Sequence, residues 1–152
     1  MLVIDQAPHC RVCPGALETV LDLGMLARSD FPATATDEDR LRAPLDLCQC
    51  VACGLVQLRH TVHPDLLFRQ YWYQSGINET MVAALKNVVD DAMRRVKLES
   101  GDAVLDIGCN DGTLLHQYPD YIRRIGVDPS DVAKRDLTWM RPGDTSCHTY
   151  FP

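Results

Sequence analysis

Apolar residues recur at helical spacing in the middle of the chain, between Asn78 and Leu98. The steps between them are four, three, four and four residues, at Met81, Leu85, Val88, Ala92 and Val96. Asn78 is a suitable N-cap, and Glu79 places an acid in the first turn, where the helix dipole favours it. The pattern therefore predicts an amphipathic helix over 78–98 with these apolar residues on one face.

After residue 100 short apolar runs alternate with helical stretches. Residues 103–108 form an apolar run that ends in glycine, which is typical of a buried parallel strand. A helix is predicted over 113–118, where Pro119 ends it, and a second strand over 122–128. A second helix start follows at 129–136 and a third strand at 147–151. This order predicts an open α/β sheet.

The first half of the chain has a different character. It combines short apolar runs with a stretch rich in Pro, Thr, Ala and Asp at 29–44, which is typical of an exposed loop, and a strand is predicted at 54–58. A polar and aromatic stretch with Phe68, Tyr71, Trp72 and Tyr73 follows. We therefore predict three parts, namely a module over 1–63, an aromatic linker over 64–77 and an α/β domain over 78–152.

Composition narrows the function classes. The chain has 152 residues, of which 46% are hydrophobic and 24% are charged, which suits a folded domain. No apolar run approaches the ~18 to 20 residues that a membrane helix needs, and the first ten residues lack the features of a secretion signal. The net charge is -6 and the basic residues are scattered. We therefore expect a cytoplasmic protein with neither a membrane nor a nucleic-acid partner.

Two pairs of cysteines have the spacing of a metal site. Cys10 and Cys13 form one C-x-x-C pair, and Cys50 and Cys53 form a second after 36 intervening residues. Each short gap lets two thiolates face one ion, and four thiolates complete the tetrahedral shell that structural zinc prefers. The sequence therefore predicts a structural zinc site with these four cysteines as ligands.

Other assignments of these residues stay open at this point. Cys48 could replace Cys50 as a ligand, and the cysteines could instead be reduced thiols buried as small apolar groups. Three histidines lie near enough in sequence to act as ligands, at His9, His60 and His63. With four cysteines available, we expect these histidines to lie at the surface or behind the ligands. Cys109 and Cys147 are expected to be ordinary thiols.

A glycine-rich turn follows the first strand of the predicted α/β domain. Residues 104–115 (VLDIGCNDGTLL) contain the pattern D-x-G-x-N-x-G, formed by Asp106, Gly108, Asn110 and Gly112. The second strand ends at Asp128, where an acid can accept hydrogen bonds from ribose hydroxyls. Dinucleotide enzymes need G-x-G-x-x-G to hold a pyrophosphate. Here the turn carries two acids instead, Asp106 at the strand end and Asp111, and negative groups beside a pyrophosphate are unfavourable. A cationic sulfonium tolerates them, so these residues favour S-adenosylmethionine over NAD as the cofactor. A turn with a purely structural role is the alternative.

Together these motifs resemble a known family, the zinc-containing S-adenosylmethionine-dependent C-methyltransferases that act on nucleotide-linked deoxysugars. The resemblance includes the first cysteine pair and five further segments. These are 20–24 (VLDLG), 50–58 (CVACGLVQL), 71–78 (YWYQSGIN), 104–115 and 126–130 (GVDPS). It implies an α/β protein in which a zinc-ribbon-like module precedes the first part of a class I, Rossmann-like methyltransferase fold.

The resemblance also implies roles for individual residues. Gly108, Asn110 and Asp128 fall on cofactor-binding positions, and Tyr71 and Tyr73 fall where the family's segment approaches the active site, although packing between domains would explain these tyrosines equally well. The implied reaction methylates a carbon next to the ketone of a nucleotide-linked sugar through an enolate. In this family that chemistry draws on residues beyond the second strand, so we assign no catalytic residue and expect this chain to be the first part of a longer enzyme. Two rival functions are a zinc-stabilised binding or assembly module without catalysis and an NAD-type Rossmann oxidoreductase.

Overall fold

The computed structural model describes residues 4–28 and 41–151 and divides the chain into two compact units, Met1–Leu67 and Phe68–Pro152. Each unit has its own sheets. The aromatic residues 68–77 belong to the second unit. The finer three-part division at residues 63 and 77 stays a prediction.

The first unit is built from two antiparallel sheets. Its strands are β1 (Ile4–Gln6), β2 (Leu17–Ala27), β3 (Arg42–Cys50), β4 (Val56–Leu58) and β5 (His60–Val62). Strands β1 and β5 pair with each other, and β2, β3 and β4 form a three-stranded sheet in that order. The register between β2 and β3 shifts twice, and it brings Leu17 opposite Cys50. The hairpin thereby places the second cysteine pair beside the residues that follow the first.

The predicted loop over 29–44 meets the structure only at its end. Residues 29–40 lie outside the described part of the chain. Residues 42–44 are not a loop, because they pair with Met25, Leu26 and Ala27 and so begin β3. Local composition predicted a loop here, whereas the pairing with a distant strand decides the structure.

The second unit contains a parallel sheet of three strands, β6 (Ala103–Ile107), β7 (Arg123–Val127) and β8 (Thr145–Cys147). Its helices are α1 (Glu79–Arg95), α2 (Thr113–His116) and α3 (Asp131–Arg135). A short π-helical turn at Asp65–Arg69 and a 3-10 turn at Ser75–Ile77 precede α1. Since α2 and α3 connect parallel neighbours, the predicted α/β class is confirmed.

Helix α1 begins as predicted, and its buried face coincides only in part with the predicted one. The Asn78 side chain accepts hydrogen bonds from the amides of Thr80 and Met81, as an N-cap does. The buried residue is Val89, whereas the predicted Val88 is 55% exposed. Leu85 and Ala92 of the predicted face are half-buried, so the buried face coincides with the predicted one at these two positions and differs at Val89.

The strands differ from prediction in two respects. Strand β6 is not buried on both faces, because Leu105 and Ile107 are each at least half exposed. Strand β8 ends at Cys147 instead of beginning there, since its residues pair in parallel with Ile125–Val127.

The core of the second unit lies around Trp139. This ring is 2% exposed and packs with Cys109 and Leu115, while Val104, Leu114 and Met140 surround the cluster. A Cβ on Gly112 would lie 2.0 Å from the indole ring, and one on Gly126 would lie 3.0 Å from it. Both glycines are therefore needed so that the backbone can approach this ring. Among the described residues, no helix is long and apolar enough to cross a membrane.

Candidate functional site

Four cysteines of the first unit come together in one cluster. The Sγ atoms of Cys10, Cys13, Cys50 and Cys53 all lie within 4.8 Å of one another. Cys10 and Cys53 approach to 3.7 Å, and Cys13 and Cys50 approach to 3.5 Å. These separations are far longer than the ~2.05 Å of a disulfide, so the thiols are free. The two pairs predicted from their spacing are thus brought together.

The size of this cluster fits zinc. A tetrahedral ion with Zn–S bonds of ~2.3 Å separates its sulfur ligands by about 3.8 Å, close to the two shortest distances found here. Gly15 gives a second indication. A Cβ at this position would lie 2.6 Å from Cys50 Sγ and 3.3 Å from Cys13 Sγ, so the sequence leaves space beside the sulfurs. The residues present therefore fit a structural zinc ion with four thiolate ligands.

Backbone hydrogen bonds hold each cysteine pair in a tight turn. The amide of Cys10 donates to the carbonyl of Gly15 at 3.0 Å, and the amide of Cys50 donates to that of Leu55 at 2.9 Å. Gly54 closes the second turn with a φ of +76°. Of the glycines beside the two cysteine pairs, Gly54 is needed for its positive φ, whereas Gly15 is needed because the sulfurs pass so close to it.

The thiols of the cluster have unequal acidities. The Val12 amide, 3.4 Å from Cys10 Sγ, lowers the pKa of the Cys10 thiol to about 6. The Gly15 amide also favours ionisation of Cys13, but hydrogen bonding with Cys50 and Cys53 outweighs it and raises the pKa of Cys13 to about 12. A divalent cation removes this competition because it stabilises all four thiolates together.

The structure separates Cys48 from the cluster. Its side chain is fully buried and its Sγ donates to the carbonyl of Gln57 at 3.2 Å. The group of described residues that could share one ion consists of the four cysteines and includes none of the three histidines. The Gln57 side chain is itself buried and accepts a hydrogen bond from the amide of Arg11, which lies between the first two cysteines. Gln57 thus stabilises the first cysteine turn from behind.

A second candidate site is a cavity of about 550 Å³ in the second unit. Its volume lies within the range of small-molecule pockets. The lining combines the glycine-rich turn, the end of β7, the aromatic segment and the last described residues: Phe68, Tyr71, Tyr73, Ser75, Ile107, Gly108, Asn110, Val127, Asp128, Pro129, Ser130, Thr149, Tyr150 and Phe151. It therefore lies at the carboxyl ends of β6 and β7, where open α/β sheets bind ligands.

The glycine-rich turn and Asp128 are joined by hydrogen bonds. The Asp128 carboxylate accepts from the amide of Asn110 at 2.9 Å and from that of Ser130 at 2.7 Å. Gly108 has a φ of +81°, and nothing lies within 4 Å of the position that its Cβ would take. The backbone of this turn is thus open to a ligand at Gly108.

The aromatic segment is attached to the same turn through two side chains. Asn110 Nδ2 donates to the carbonyl of Tyr73 at 2.9 Å, and Asn110 Oδ1 accepts from the amide of Ser75 at 3.1 Å. Asp111 Oδ2 accepts from the amide of Gly76 at 2.7 Å. The rings of Tyr71 and Tyr73 pack edge to face with centroids 6.4 Å apart. These contacts bring the predicted tyrosines to the cavity.

Two of the residues predicted to bind the cofactor lie elsewhere. Asp106 is not among the lining residues of the cavity, and burial together with the charge of Asp128 raises the pKa of its carboxyl group. Gly112 contacts Trp139 and lines a separate cavity of about 350 Å³ with His116. Their roles in cofactor binding stay predictions. Cys109 is buried, and burial raises the pKa of its thiol to about 12, as befits an ordinary thiol.

Sequence reasoning missed several residues of the cavity. Ser130 lines it, and the short Asp-Pro-Ser motif after β7 could have suggested this residue. Thr149, Tyr150 and Phe151 also line it, although nothing in the local pattern indicates a site. These residues reach the cavity because β8 is parallel to β7 and the chain leaves it at the same edge of the sheet.

Comparison with known proteins confirms the resemblance seen in the sequence. Residues 10–68 match the Methyltransf_13 family model, described as "Putative zinc binding domain". The chain is also 35% identical to the C-methyltransferase NovU of Streptomyces niveus over 134 residues. This match covers 84% of the present chain and 31% of NovU, so the chain spans about a third of that relative. Residues 10–68, which make up most of the first unit, are thus similar to a domain described as zinc-binding, and the chain as a whole is similar to part of a C-methyltransferase.

Proposed function

We propose that this chain is the cofactor-binding first part of an S-adenosylmethionine-dependent C-methyltransferase whose acceptor is a nucleotide-linked keto-deoxysugar. The observation that carries the proposal is the cavity in which Gly108, Asn110 and Asp128 meet at the carboxyl ends of two parallel strands. In this proposal the first unit is zinc-ribbon-like and the second begins a class I, Rossmann-like fold. The likeness to NovU supports a methyltransferase.

The charges around the cavity favour this cofactor over a dinucleotide. Within the part of the chain that the structure describes, the lining residues include Asp128 but no lysine or arginine. A pyrophosphate would find no cationic side chain to pair with among these residues, whereas a cofactor that is cationic at its sulfonium and ammonium groups needs none. In this proposal Asp128 would accept hydrogen bonds from the ribose hydroxyls.

The proposed reaction is a methyl transfer to carbon. A base removes the proton next to the ketone of the acceptor, and the resulting enolate carbon forms a bond to the methyl group while the methyl–sulfur bond breaks and its electron pair stays on sulfur. Bound S-adenosylmethionine supplies the methyl group. The residues of this chain would bind the nucleoside at Gly108 and Asp128 and border the acceptor with Tyr71 and Tyr73. We assign no catalytic base to it.

The four cysteines have a structural role in this proposal. Cys10, Cys13, Cys50 and Cys53 would occupy all four positions of a zinc ion, which leaves no position for water or substrate. The ion would contribute folding free energy to the first unit and take no part in the transfer.

Substitution of two comparable glycines tests the cofactor proposal. Gly108→Ala and Gly101→Ala both place a Cβ at a positive φ, +81° and +97°, with no atom within 4 Å. Each should lower the stability by ~1 to 2 kcal/mol. Only Gly108 lines the cavity, so only Gly108→Ala should weaken S-adenosylmethionine binding, by about tenfold or more, as overpacking a site does.

Thermal denaturation with and without ligand gives the measurement. At a concentration of ~100 Kd, S-adenosylmethionine should stabilise the wild-type protein by about 2.7 kcal/mol, and NAD should not. Stabilisation by NAD alone would contradict the proposal and favour an oxidoreductase. Stabilisation by neither ligand would favour a zinc-stabilised binding module, and equal effects of the two alanine substitutions would show that the ligand binds elsewhere.

A further inference from the structure

One residue of the glycine-rich turn is bonded to two other walls of the cavity. The amide of Asn110 donates to Asp128, and its side chain bonds to the backbone of both Tyr73 and Ser75. The amide of the next residue in the aromatic segment, Gly76, is held by Asp111. The backbone of the segment from Tyr73 to Gly76 is thus attached at three points to the turn beside Gly108.

The position of Asn110 in the sequence had suggested a direct role in binding the cofactor. In the structure both ends of its side-chain amide are already engaged, the nitrogen as a donor and the oxygen as an acceptor. The residue also has a φ of +52°, a backbone conformation that asparagine tolerates better than most residues. The side chain thus bonds to the aromatic segment, and the residue lines the cavity as well.

Close packing at Gly76 shows that the two parts fit tightly. A Cβ at this position would lie 2.9 Å from Thr113 Oγ1 and 3.2 Å from Asp111 Oδ2. Asp111 is 7% exposed, and its other oxygen accepts from the amide and the hydroxyl of Thr113. The segment is therefore seated on a turn that is itself internally bonded.

We propose that Asn110 is a positioning residue, whose side chain ties the aromatic segment Tyr73–Gly76 to the glycine-rich turn so that ligand binding at the turn orders the wall that carries Tyr71 and Tyr73. The attachment is a property of the chain without ligand. Its response to a nucleoside rests on the function proposed above. A ligand that immobilises the Gly108–Asn110 backbone reduces the freedom of the segment through these two side-chain hydrogen bonds.

Hydrogen exchange of individual amides tests the attachment directly. Asn110→Gly removes both side-chain bonds and suits the positive φ, so the backbone of the turn is kept. Without ligand, exchange at the Ser75 amide should become about fivefold faster or more, the effect of losing one hydrogen bond. Asn87→Asp, on the exposed side of α1, is the control for the Asn110→Asp variant described next and should leave exchange at Ser75 unchanged.

The conservative variant Asn110→Asp distinguishes a positioning role of the side chain from a general loss of stability. Asn110→Asp keeps an oxygen that accepts from Ser75 but loses the donor to Tyr73, so the Ser75 amide should stay closer to wild type than it does in Asn110→Gly. Adding S-adenosylmethionine at saturation should slow exchange at Ser75 and Gly76 in the wild type by about fivefold, and clearly less in Asn110→Gly.

The outcomes distinguish this inference from the function on which it rests. Ser75 exchange that is equal in the wild type and in Asn110→Gly without ligand would overturn the attachment. Equal slowing by S-adenosylmethionine in both proteins would overturn the ordering of the wall. If S-adenosylmethionine changes the exchange of no amide in the wild type, the proposed function fails, and the ordering of the wall fails with it. The attachment is then judged separately, and it is upheld if Ser75 exchanges faster in Asn110→Gly than in the wild type without ligand.

Discussion

Gly15→Ala is the substitution whose effect on the four-cysteine cluster can be worked out most directly. The added Cβ would lie 2.6 Å from Cys50 Sγ and 2.8 Å from the Cβ of Ala52. Ordinary contact begins at 3.4 Å, so the sulfur must move by about 0.8 Å. Distances in zinc sites vary by only ~0.2 Å, which means that Cys50 can no longer ligate at its normal distance.

The expected loss of zinc affinity follows from the part of the binding free energy that one ligand contributes. Apparent binding free energies of structural zinc sites are ~10 to 16 kcal/mol, so one of four thiolates contributes about 3 kcal/mol. A tenfold change in affinity corresponds to about 1.4 kcal/mol, and Gly15→Ala should therefore weaken zinc binding by roughly 100-fold.

Competition with a chromophoric chelator measures this affinity. Gly24→Ala is the control, because it lies on the same hairpin, has a φ of +69° and places its Cβ where nothing lies within 4 Å. That control carries the larger backbone strain but should keep its zinc. Zinc affinity of Gly15→Ala within threefold of the wild type would refute the inference that the sulfurs occupy the space beside this glycine.

Two further predictions concern the choice of ligand and a buried ion pair. Cys50→Ser should release zinc readily, whereas Cys48→Ser should keep it; equal zinc content in the two purified variants would contradict the geometry. Asp144→Asn should lower the free energy of unfolding by ~3 to 5 kcal/mol, because it leaves the Arg124 guanidinium buried without its counter-charge. Burial alone would raise the pKa of Asp144, but the Arg124 amide and guanidinium outweigh burial and lower it. The wild type should therefore lose stability as the pH falls below about 3.9, and Asp144→Asn should lose less over that range, which denaturant titrations at several pH values would show.

The metal cluster could be predicted closely because its information is local. The C-x-x-C spacing constrains each pair of sulfurs within one turn, and the structure adds only the meeting of the two turns. The spacing favoured Cys50 as the ligand but left Cys48 open, since residues two apart on a strand face the same side. That choice depends on the pairing of β3 with β4, which gives Cys48 Sγ the Gln57 carbonyl as its partner.

The fold was predictable where one short stretch decides the conformation. Asn78 caps α1 as expected, and strands β6 and β7 lie where the apolar runs predicted them. The start of β3 and the end of β8 were misplaced because each is fixed by pairing with a strand distant in sequence. Local composition does not encode such pairing.

The interior of the second unit and the cavity wall depend on contacts between distant residues. Gly112 belongs to a pattern that suggests ligand binding, yet the close approach of Trp139, 27 residues later, accounts for the missing side chain. Asn110 shows the converse, because its bonds to Tyr73 and Ser75 cross more than 30 residues of sequence. Neither contact produces a periodic pattern in the sequence from which it could have been predicted.

The location of Trp139 also determines which part of the protein intrinsic fluorescence can monitor. The chain has two tryptophans, Trp72 and Trp139, both in the second unit, and residues 1–67 contain neither tryptophan nor tyrosine. Trp139 is 2% exposed and Trp72 is 68% exposed, so a red shift of emission on denaturation should come mainly from Trp139. Intrinsic fluorescence therefore follows the unit with the cavity alone, while thiolate-to-metal absorbance in the ultraviolet, with cobalt in place of zinc, follows the cysteine unit alone. The two halves of the protein can thus be observed separately in one sample without an added label.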